Sequence, residues 1–219
     1  MNILFIGKPA SGKGSITQRI IDDNFVQLST GDLLRAEQEK GTELGNEIKA
    51  LLSQGKFATD ETIFNLVEKF LAENSDKSII FDGFPRNVIQ AKHCLERGII
   101  FDYVFNIEVP DETVRERIVN RRVHPQSGRV YNIVTLPPKV EGVDDITGEP
   151  LIQRNDDRIE VVAQRLENFN TLTYPIVDFL EKEGFTINKI DGLIPLKEQV
   201  ETVKNTLKLE SYNTKKLKF

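Results

Sequence analysis

The sequence predicts an α/β protein: a five-stranded parallel sheet in a three-layer arrangement, carrying a helical insertion and a lid insertion. Three observations predict it. Short apolar runs of strand length recur at Ile3–Ile6, Phe25–Leu28, Ile79–Phe81, Tyr103–Val109 and Phe185–Ile190. Segments with helical spacing lie between them, and that alternation implies parallel strands covered on both faces. The first run leads straight into Gly7-Lys8-Pro9-Ala10-Ser11-Gly12-Lys13-Gly14-Ser15 and then a helix-period stretch from Ile16 to Ile21.

That strand, glycine loop, helix order is what a phosphate-binding P-loop requires. Gly7, followed after four residues by Gly12-Lys13, lets successive backbone N–H groups curl round an anion at a helix N-terminus. Lys13 then reaches the outer phosphates as a point charge. The general loop pattern has Ser or Thr directly after the lysine to hold Mg²⁺. Here that place is Gly14, and Ser15 comes one residue late.

Ligands of such sheets bind beyond the carboxyl ends of the strands. Ser29-Thr30-Gly31-Asp32 follows the second strand and Asp82-Gly83-Phe84-Pro85-Arg86 the third. An acidic residue ending the third strand commonly serves Mg²⁺ in phosphate-loop proteins. With no hydroxyl at Gly14, the metal is expected on phosphates and water, with Asp82 reaching it through water.

Two stretches break the alternation. Thr30 to Thr59 reads as a helical insertion interrupted by Gly41, Gly45 and Gly55. Arg121 to Asp157 is poor in apolar residues and full of turn signals, such as His124-Pro125, Pro137-Pro138 and Thr147-Gly148, as lids and binding loops often are. From Asp156 to Leu180 the helix period returns, and the basic tail Lys215–Phe219 reads as solvated. The organisation expected is a core of residues 1–29, 60–119 and 158–219 with insertions at 30–59 and 120–157.

A chain of 219 residues with 39% hydrophobic and 29% charged side chains fits one soluble α/β core with insertions. No apolar run approaches a membrane span and the chain enters a strand at once without a secretion signal, so a cytoplasmic location away from membranes is expected. The single cysteine, Cys94, excludes internal disulfides and a thiolate zinc cluster, and its neighbours suggest a small hydrophobe on a helix. A net charge of −5 argues against a nucleic-acid partner, whose affinity would come from Lys and Arg on phosphates. A small phosphorylated ligand in a local cationic pocket remains compatible. No obvious apolar partner face appears, which makes a monomer the default.

Arg35, Arg86, Arg117, Arg121, Arg154 and Arg165 fall beside the strand-end loops or at the insertion edges. Arginine suits bidentate phosphate recognition and the charge developing on a phosphoryl group in flight. His124-x-x-Ser127 and Asp144-x-x-Thr147 have the spacing of a four-ligand zinc knuckle. Ser and Thr hydroxyls are poor zinc ligands, so a hydrogen-bonded cluster without structural zinc is expected. His93 reads as structural. Neither histidine lies in a strand-end loop, and no general base stands out. A phosphate monoester, with a second pKa of about 6, is largely a dianion at neutral pH and needs none. Catalysis then reduces to alignment, charge stabilisation and exclusion of water by a lid.

Taken together, these motifs resemble the adenylate kinase family from Met1 to about Ile194. Gly7 to Ser15, including the glycine after the lysine, is similar to that family's donor loop. Ser29-Thr30-Gly31-Asp32-x-x-Arg35, and Asp82 to Arg86 with Gln90, are similar to its acceptor signatures. Arg117 to Tyr131, Pro137-Pro138-Lys139, Asp144-Asp145, Arg154-x-Asp156-Asp157 and Arg165 resemble its long lid, of the kind lacking zinc, and the returning helix.

The resemblance implies a nucleoside monophosphate kinase catalysing MgATP + AMP ⇌ 2 ADP, with 30–59 as the AMP-binding insertion and 120–157 as the lid. It implies that Ala10, Ser11, Gly12, Lys13, Gly14, Ser15, Arg117, Arg121, Val130, Tyr131 and the Ile194 backbone contact ATP. AMP would be held by Thr30, Gly31, Arg35, Lys56, Phe57, Ala58, Gly83, Phe84, Pro85, Arg86, Gln90, Arg154 and Arg165. Lys13, Arg86, Arg117, Arg121, Arg154 and Arg165 would surround the transferring phosphoryl group, while Asp156 and Asp157 steady the closed lid. Rival readings are a kinase of UMP, CMP or another monophosphate, and a nucleotide-binding module without catalysis. The chain departs from the family pattern at Ala10, where glycine is usual, at Lys8, an extra charge, and at Ser15, which replaces a common threonine.

Overall fold

The computed structural model describes residues 1–21, 24–53, 58–153, 157 and 159–208, and the side chains of these except 51–53 and 159–160. Gly55, the tail 215–219 and the expected site residues Lys56, Phe57, Arg154 and Asp156 lie outside the described residues. In chain order the elements are β1 (Asn2–Gly7), α1 (Lys13–Ile20), β2 (Phe25–Ser29), α2 (Thr30–Glu39), α3 (Glu43–Ser53), α4 (Asp60–Glu73), β3 (Ser78–Asp82), α5 (Val88–Glu96) and β4 (Tyr103–Glu108). There follow α6 (Asp111–Val119), β5 (Arg121–Val123), β6 (Val130–Asn132), α7 (Ile159–Asn168), α8 (Pro175–Lys182), β7 (Ile187–Asp191) and α9 (Leu196–Thr206).

The five predicted strands form one parallel sheet, ordered β2-β3-β1-β4-β7. Ile3, Leu4, Phe5 and Ile6 are buried along β1, as a central strand covered on both faces requires. Strand order reverses at β1, so the glycine loop that follows it leaves the sheet at its topological switch point. The last strand starts two residues later than predicted. Gly184, at φ 89°, ends α8, and the N–H of Phe185 turns back to the carbonyl of Leu180 at 2.9 Å, which commits Phe185 to the helix exit.

Contacts divide the chain into two compact units. The first comprises Met1–Ile6, Ile21–Phe105 and Pro175–Asn188. Its core is aromatic: Phe5 stacks on Phe105 at 5.1 Å, Phe81 meets Phe101 edge-on at 5.2 Å, and Phe64 meets Phe84 edge-on at 5.3 Å. Thr59 caps α4 by accepting the N–H of Thr62, and Asn87 caps α5 by accepting that of Gln90. Cys94 is fully buried on α5, and desolvation pushes its thiol up to about 12, so it packs as a hydrophobe. His93 lies against the Phe64 ring at 5.7 Å.

The sequence places a helix interruption at Gly45, and the structure corrects this. Gly41, at φ 65°, makes the turn, whereas Gly45 sits inside α3. A Cβ there would lie 2.2 Å from the carbonyl oxygen of Glu37 on α2. Glycine at 45 is therefore what lets the two helices touch.

The second unit comprises Gly7–Ile20, Asn106–Tyr174 and Lys189–Phe219. Val109, Val114, Ile118, Val162 and Leu166 form a buried cluster within it. Residues 121–157, expected to be irregular, contain an antiparallel pair, β5 against β6, with isolated bridges at Val123–Ile152 and Val143–Pro150. Three-residue strands fall below what periodicity resolves. The expected helix through residue 180 is broken as well: Phe169–Thr173 widens into a π-helix, with the Tyr174 N–H on the Phe169 carbonyl at 2.8 Å, just before Pro175, which has no N–H to give. Among the described residues no helix is long and apolar enough to cross a membrane.

Gly45→Ala is expected to cost about 2 kcal/mol of stability, because backbone must move to admit one methyl group. Urea denaturation checks it, and a variant as stable as the parent would show that α2 and α3 do not approach this closely.

Candidate active site

In the second unit the loop after β1 turns back on itself. Ser11 N–H donates to the Lys8 carbonyl at 3.1 Å, and Ile16 N–H to the Gly12 carbonyl at 3.0 Å. The turn needs left-handed backbone at two places, Gly12 at φ 110° and Ala10 at φ 54°. For alanine that conformation costs roughly 1–2 kcal/mol. Its methyl group packs on the Val109, Val114, Ile118, Val162 and Leu166 cluster, which offsets about 0.8 kcal/mol. Gly7 is required by close approach, since a Cβ would sit 2.7 Å from Ser11 Oγ and 3.1 Å from the Ile107 carbonyl. Among the described residues a Cβ on Gly14 would meet nothing within 4 Å, so none of them demands glycine there.

Lys13 Nζ folds over the loop, donating to the Gly7 carbonyl at 2.5 Å and the Lys8 carbonyl at 3.0 Å. Lys8, the extra charge noted in the sequence, is turned toward α6, where it donates to the Val109 carbonyl at 2.9 Å and pairs with Asp111 at 2.6 Å. Arg117 on α6 spans two loops, with one guanidinium nitrogen 3.2 Å from the Ser11 carbonyl and the other 2.7 Å from the Gly192 carbonyl. Desolvation holds its pKa below the ordinary arginine value. Arg121 grips the fully buried Asp157 with two hydrogen bonds, one of them Nε to Oδ2 at 2.8 Å, and Arg165 Nη1 reaches Asp157 Oδ1 at 3.3 Å. The carbonyl of Ile194 accepts from Gln199 Nε2 at 2.7 Å. Ser15 lies on α1, where its carbonyl accepts from Arg19 at 2.9 Å.

The first unit carries its own set. Thr30 is buried at the start of α2, and a Cβ on Gly31 would sit 3.2 Å from Arg35 Nη1. Arg35 is exposed and pairs with Asp32. Gln90 is buried and accepts the Arg86 N–H at 2.7 Å while donating to Asp60 Oδ1 at 2.7 Å. Arg86 Nε donates to the Gly83 carbonyl at 2.8 Å, Gly83 having φ 75°. Phe84 and Ala58 are buried, and Phe84-Pro85 is a cis peptide. Asp82 accepts from Gln27 Nε2 at 2.8 Å.

Within 121–157 the four residues at knuckle spacing are joined by hydrogen bonds. His124 has Ser127 Oγ at 2.7 Å on one ring nitrogen and Thr147 Oγ1 at 3.3 Å on the other, and Thr147 Oγ1 donates to Asp144 Oδ2 at 3.1 Å. Sequence reasoning missed the stronger members. Arg129 clasps Asp144 bidentately at 2.8 and 2.7 Å, Tyr131 donates to Asp144 Oδ1 at 2.9 Å, and Glu149 lies 2.6 Å from His124 Nε2. The Arg129 bonds, chiefly, hold the Asp144 carboxyl far below the usual carboxylate range. Desolvation, chiefly, pushes the Tyr131 phenol up. Val130 is half-buried beside it on β6.

Compared with known families, the chain matches a family model described as adenylate kinase over residues 5–185.

Since the folded-state pKa of Asp144 is depressed, its contribution is present above the unfolded value, about pH 4, and fades as pH falls through the folded value. Asp144→Asn is expected to melt at lower temperature than the parent by a margin that is constant between about pH 5 and about pH 8 and narrows below about pH 4. Melting curves across that range test it, and a margin that grows on acidification would refute the assignment.

Proposed function

This chain belongs to the adenylate kinase family and is a nucleoside monophosphate kinase, a phosphotransferase acting on nucleotides, and from that premise we propose that its reaction is MgATP + AMP ⇌ 2 ADP. The observation that carries the proposal is Lys13 folded over a phosphate loop whose Ser11 carbonyl is tied by Arg117 to the Gly192 loop. That arrangement supports a reading in which the loop cradles a triphosphate and the Gly192 loop takes its base.

On this reading the second unit takes the donor. The loop from Ala10 to Ser15, with Lys13, holds the β- and γ-phosphates; Arg117, Arg121, Val130, Tyr131 and Ile194 complete the ATP site. The first unit offers the acceptor contacts: Thr30, Gly31, Arg35, Ala58, Gly83 to Arg86 and Gln90, with Lys56, Phe57, Arg154 and Arg165 added from the resemblance. Gln90 fixes the Arg86 backbone through one amide atom and Asp60 through the other, which supports a role in orienting an AMP base or phosphate at that turn. Residues 30–59 are the AMP-binding insertion and 120–157 the lid, on a core of the remaining segments, and the protein works as a cytoplasmic monomer.

Catalysis here is alignment and charge neutralisation. The acceptor phosphate is a dianion at neutral pH and attacks without a general base. Lys13, Arg86, Arg117, Arg121, Arg154 and Arg165 answer the charge that spreads over the transferring group. Asp157, already holding Arg121 and Arg165, keeps two of these guanidinium groups oriented, and Asp156 assists it in steadying the closed lid. Mg²⁺ arrives with ATP and, when bound, screens its phosphate oxygens. Asp82, a carboxylate at a strand end kept oriented by Gln27, is the residue suited to receive its hydration water.

A coupled assay with ATP, Mg²⁺ and each common monophosphate is expected to give the highest kcat/KM with AMP; highest activity with UMP or CMP would overturn the acceptor assignment. Lys13→Met is expected to lower kcat about a hundredfold or more while melting as the parent does, and near-normal turnover would remove the loop from the mechanism.

A further inference from the structure

Gln199 is an oddity of α9. It lies one turn into the helix at 4% exposure, in a position that an apolar side chain would fill without penalty. Its Nε2 donates to the Ile194 carbonyl at 2.7 Å. A carbonyl can only accept, so this bond fixes which end of the amide is nitrogen. The other end, Oε1, is buried and has no hydrogen-bond partner among the described residues. It points at the phosphate loop, 3.8 Å from where a Cβ on Gly12 would stand. Leaving a buried acceptor unpaired is unfavourable. What the side chain gains by being polar is its hold on Ile194.

That carbonyl stands in a loop already bound to the phosphate loop from the other side, by Arg117 between the Ser11 and Gly192 carbonyls. The 192–194 loop is thus braced at both ends, by Arg117 at Gly192 and by Gln199 at Ile194. A carbonyl held in one direction is a hydrogen-bond acceptor with a preferred donor. On the reading that the donor base lies against this carbonyl, an adenine brings a 6-amino group to its second lone pair, Gln199 holding the other. A purine without that group leaves that second lone pair without a donor, which lets a polar site discriminate.

We propose that Gln199 is a positioning residue for donor recognition: by fixing the Ile194 carbonyl it sets the preference for a purine triphosphate carrying a 6-amino group. This rests on the reading above that the donor base lies against the Ile194 backbone. Gln199 touches no reacting atom, and its effect falls on donor affinity and donor choice.

The test compares ATP with purine riboside triphosphate, which lacks the 6-amino group, in the parent and in Gln199→Met, a change that preserves volume and removes both amide atoms. The parent is expected to prefer ATP in kcat/KM, with the difference in KM. In Gln199→Met that preference falls about three- to tenfold, the value of one hydrogen bond. The KM for AMP stays where it was, and the melting temperature does not fall, because an orphaned acceptor has been removed. Gln199→Leu repeats the comparison should the methionine variant prove unstable. A parent that prefers ATP together with variants that keep the full preference would overturn the role of Gln199 and leave the base site intact. A parent indifferent to the 6-amino group would overturn both.

Discussion

Six residues, Gly7 to Gly12, reverse direction in one tight turn, and residues from several segments of the second unit hold it. The turn forces positive φ at Ala10 and Gly12 and removes the side chain at Gly7, where Ser11 Oγ and the Ile107 carbonyl already occupy the space. Alanine at position 10 accepts backbone strain that glycine would avoid, and its methyl group returns part of it by packing on the α6–α7 cluster. The loop's shape is therefore bound to a hydrophobic cluster made of residues distant in sequence, from Val109 to Leu166. Lys13 closes the turn over the carbonyls of Gly7 and Lys8, and Arg117 anchors its far side through Ser11.

Residues whose role is set by their neighbours in sequence were legible without coordinates. Short apolar runs bounded by turn or helix signals, the Gly7 to Ser15 spacing, the strand-end position of Asp82 and the apolar company of Cys94 all carry their meaning locally. Other features depend on what a distant segment brings. Gly45 looks like a helix breaker until Glu37 is found pressed against it, and a glycine inside a helix is explained only by such a neighbour. Arg129 and Asp144 are fifteen residues apart in an irregular segment, where no period relates them. Gln199 reads as one more polar residue on a surface helix, and only its burial and its bond to Ile194 distinguish it. The short strands β5 and β6 are set by cross-strand partners such as Arg122 and Tyr131, which no local propensity names.

The cations differ in what answers their charge. Lys8 has Asp111, Arg129 has Asp144, and Arg121 and Arg165 share Asp157. Burying a carboxylate to meet an arginine is a poor way to gain stability, since well-packed apolar groups do as well or better. Its effect is geometric: Asp157, with no exposed surface, dictates where two guanidinium groups stand, and Asp144 joins Arg129, Tyr131 and the Thr147 turn into one piece. Lys8 is thereby committed to the start of α6, so its charge near the loop is spent locally and does not add freely to the pull on phosphate.

Arg117 stands apart from these. Its partners among the described residues are the carbonyl dipoles of Ser11 and Gly192, and the depression of its pKa by desolvation is the sign of a cation only partly compensated where it lies. Carbonyl oxygens satisfy the guanidinium N–H groups without supplying a countercharge. On the donor site proposed above, a polyphosphate beside Ser11 would supply one, in partly desolvated surroundings where each charge pair counts for more than in water. Arg117 holds the Ser11 and Gly192 loops in register through these carbonyl dipoles, and on the proposed donor site the same guanidinium would meet the anion.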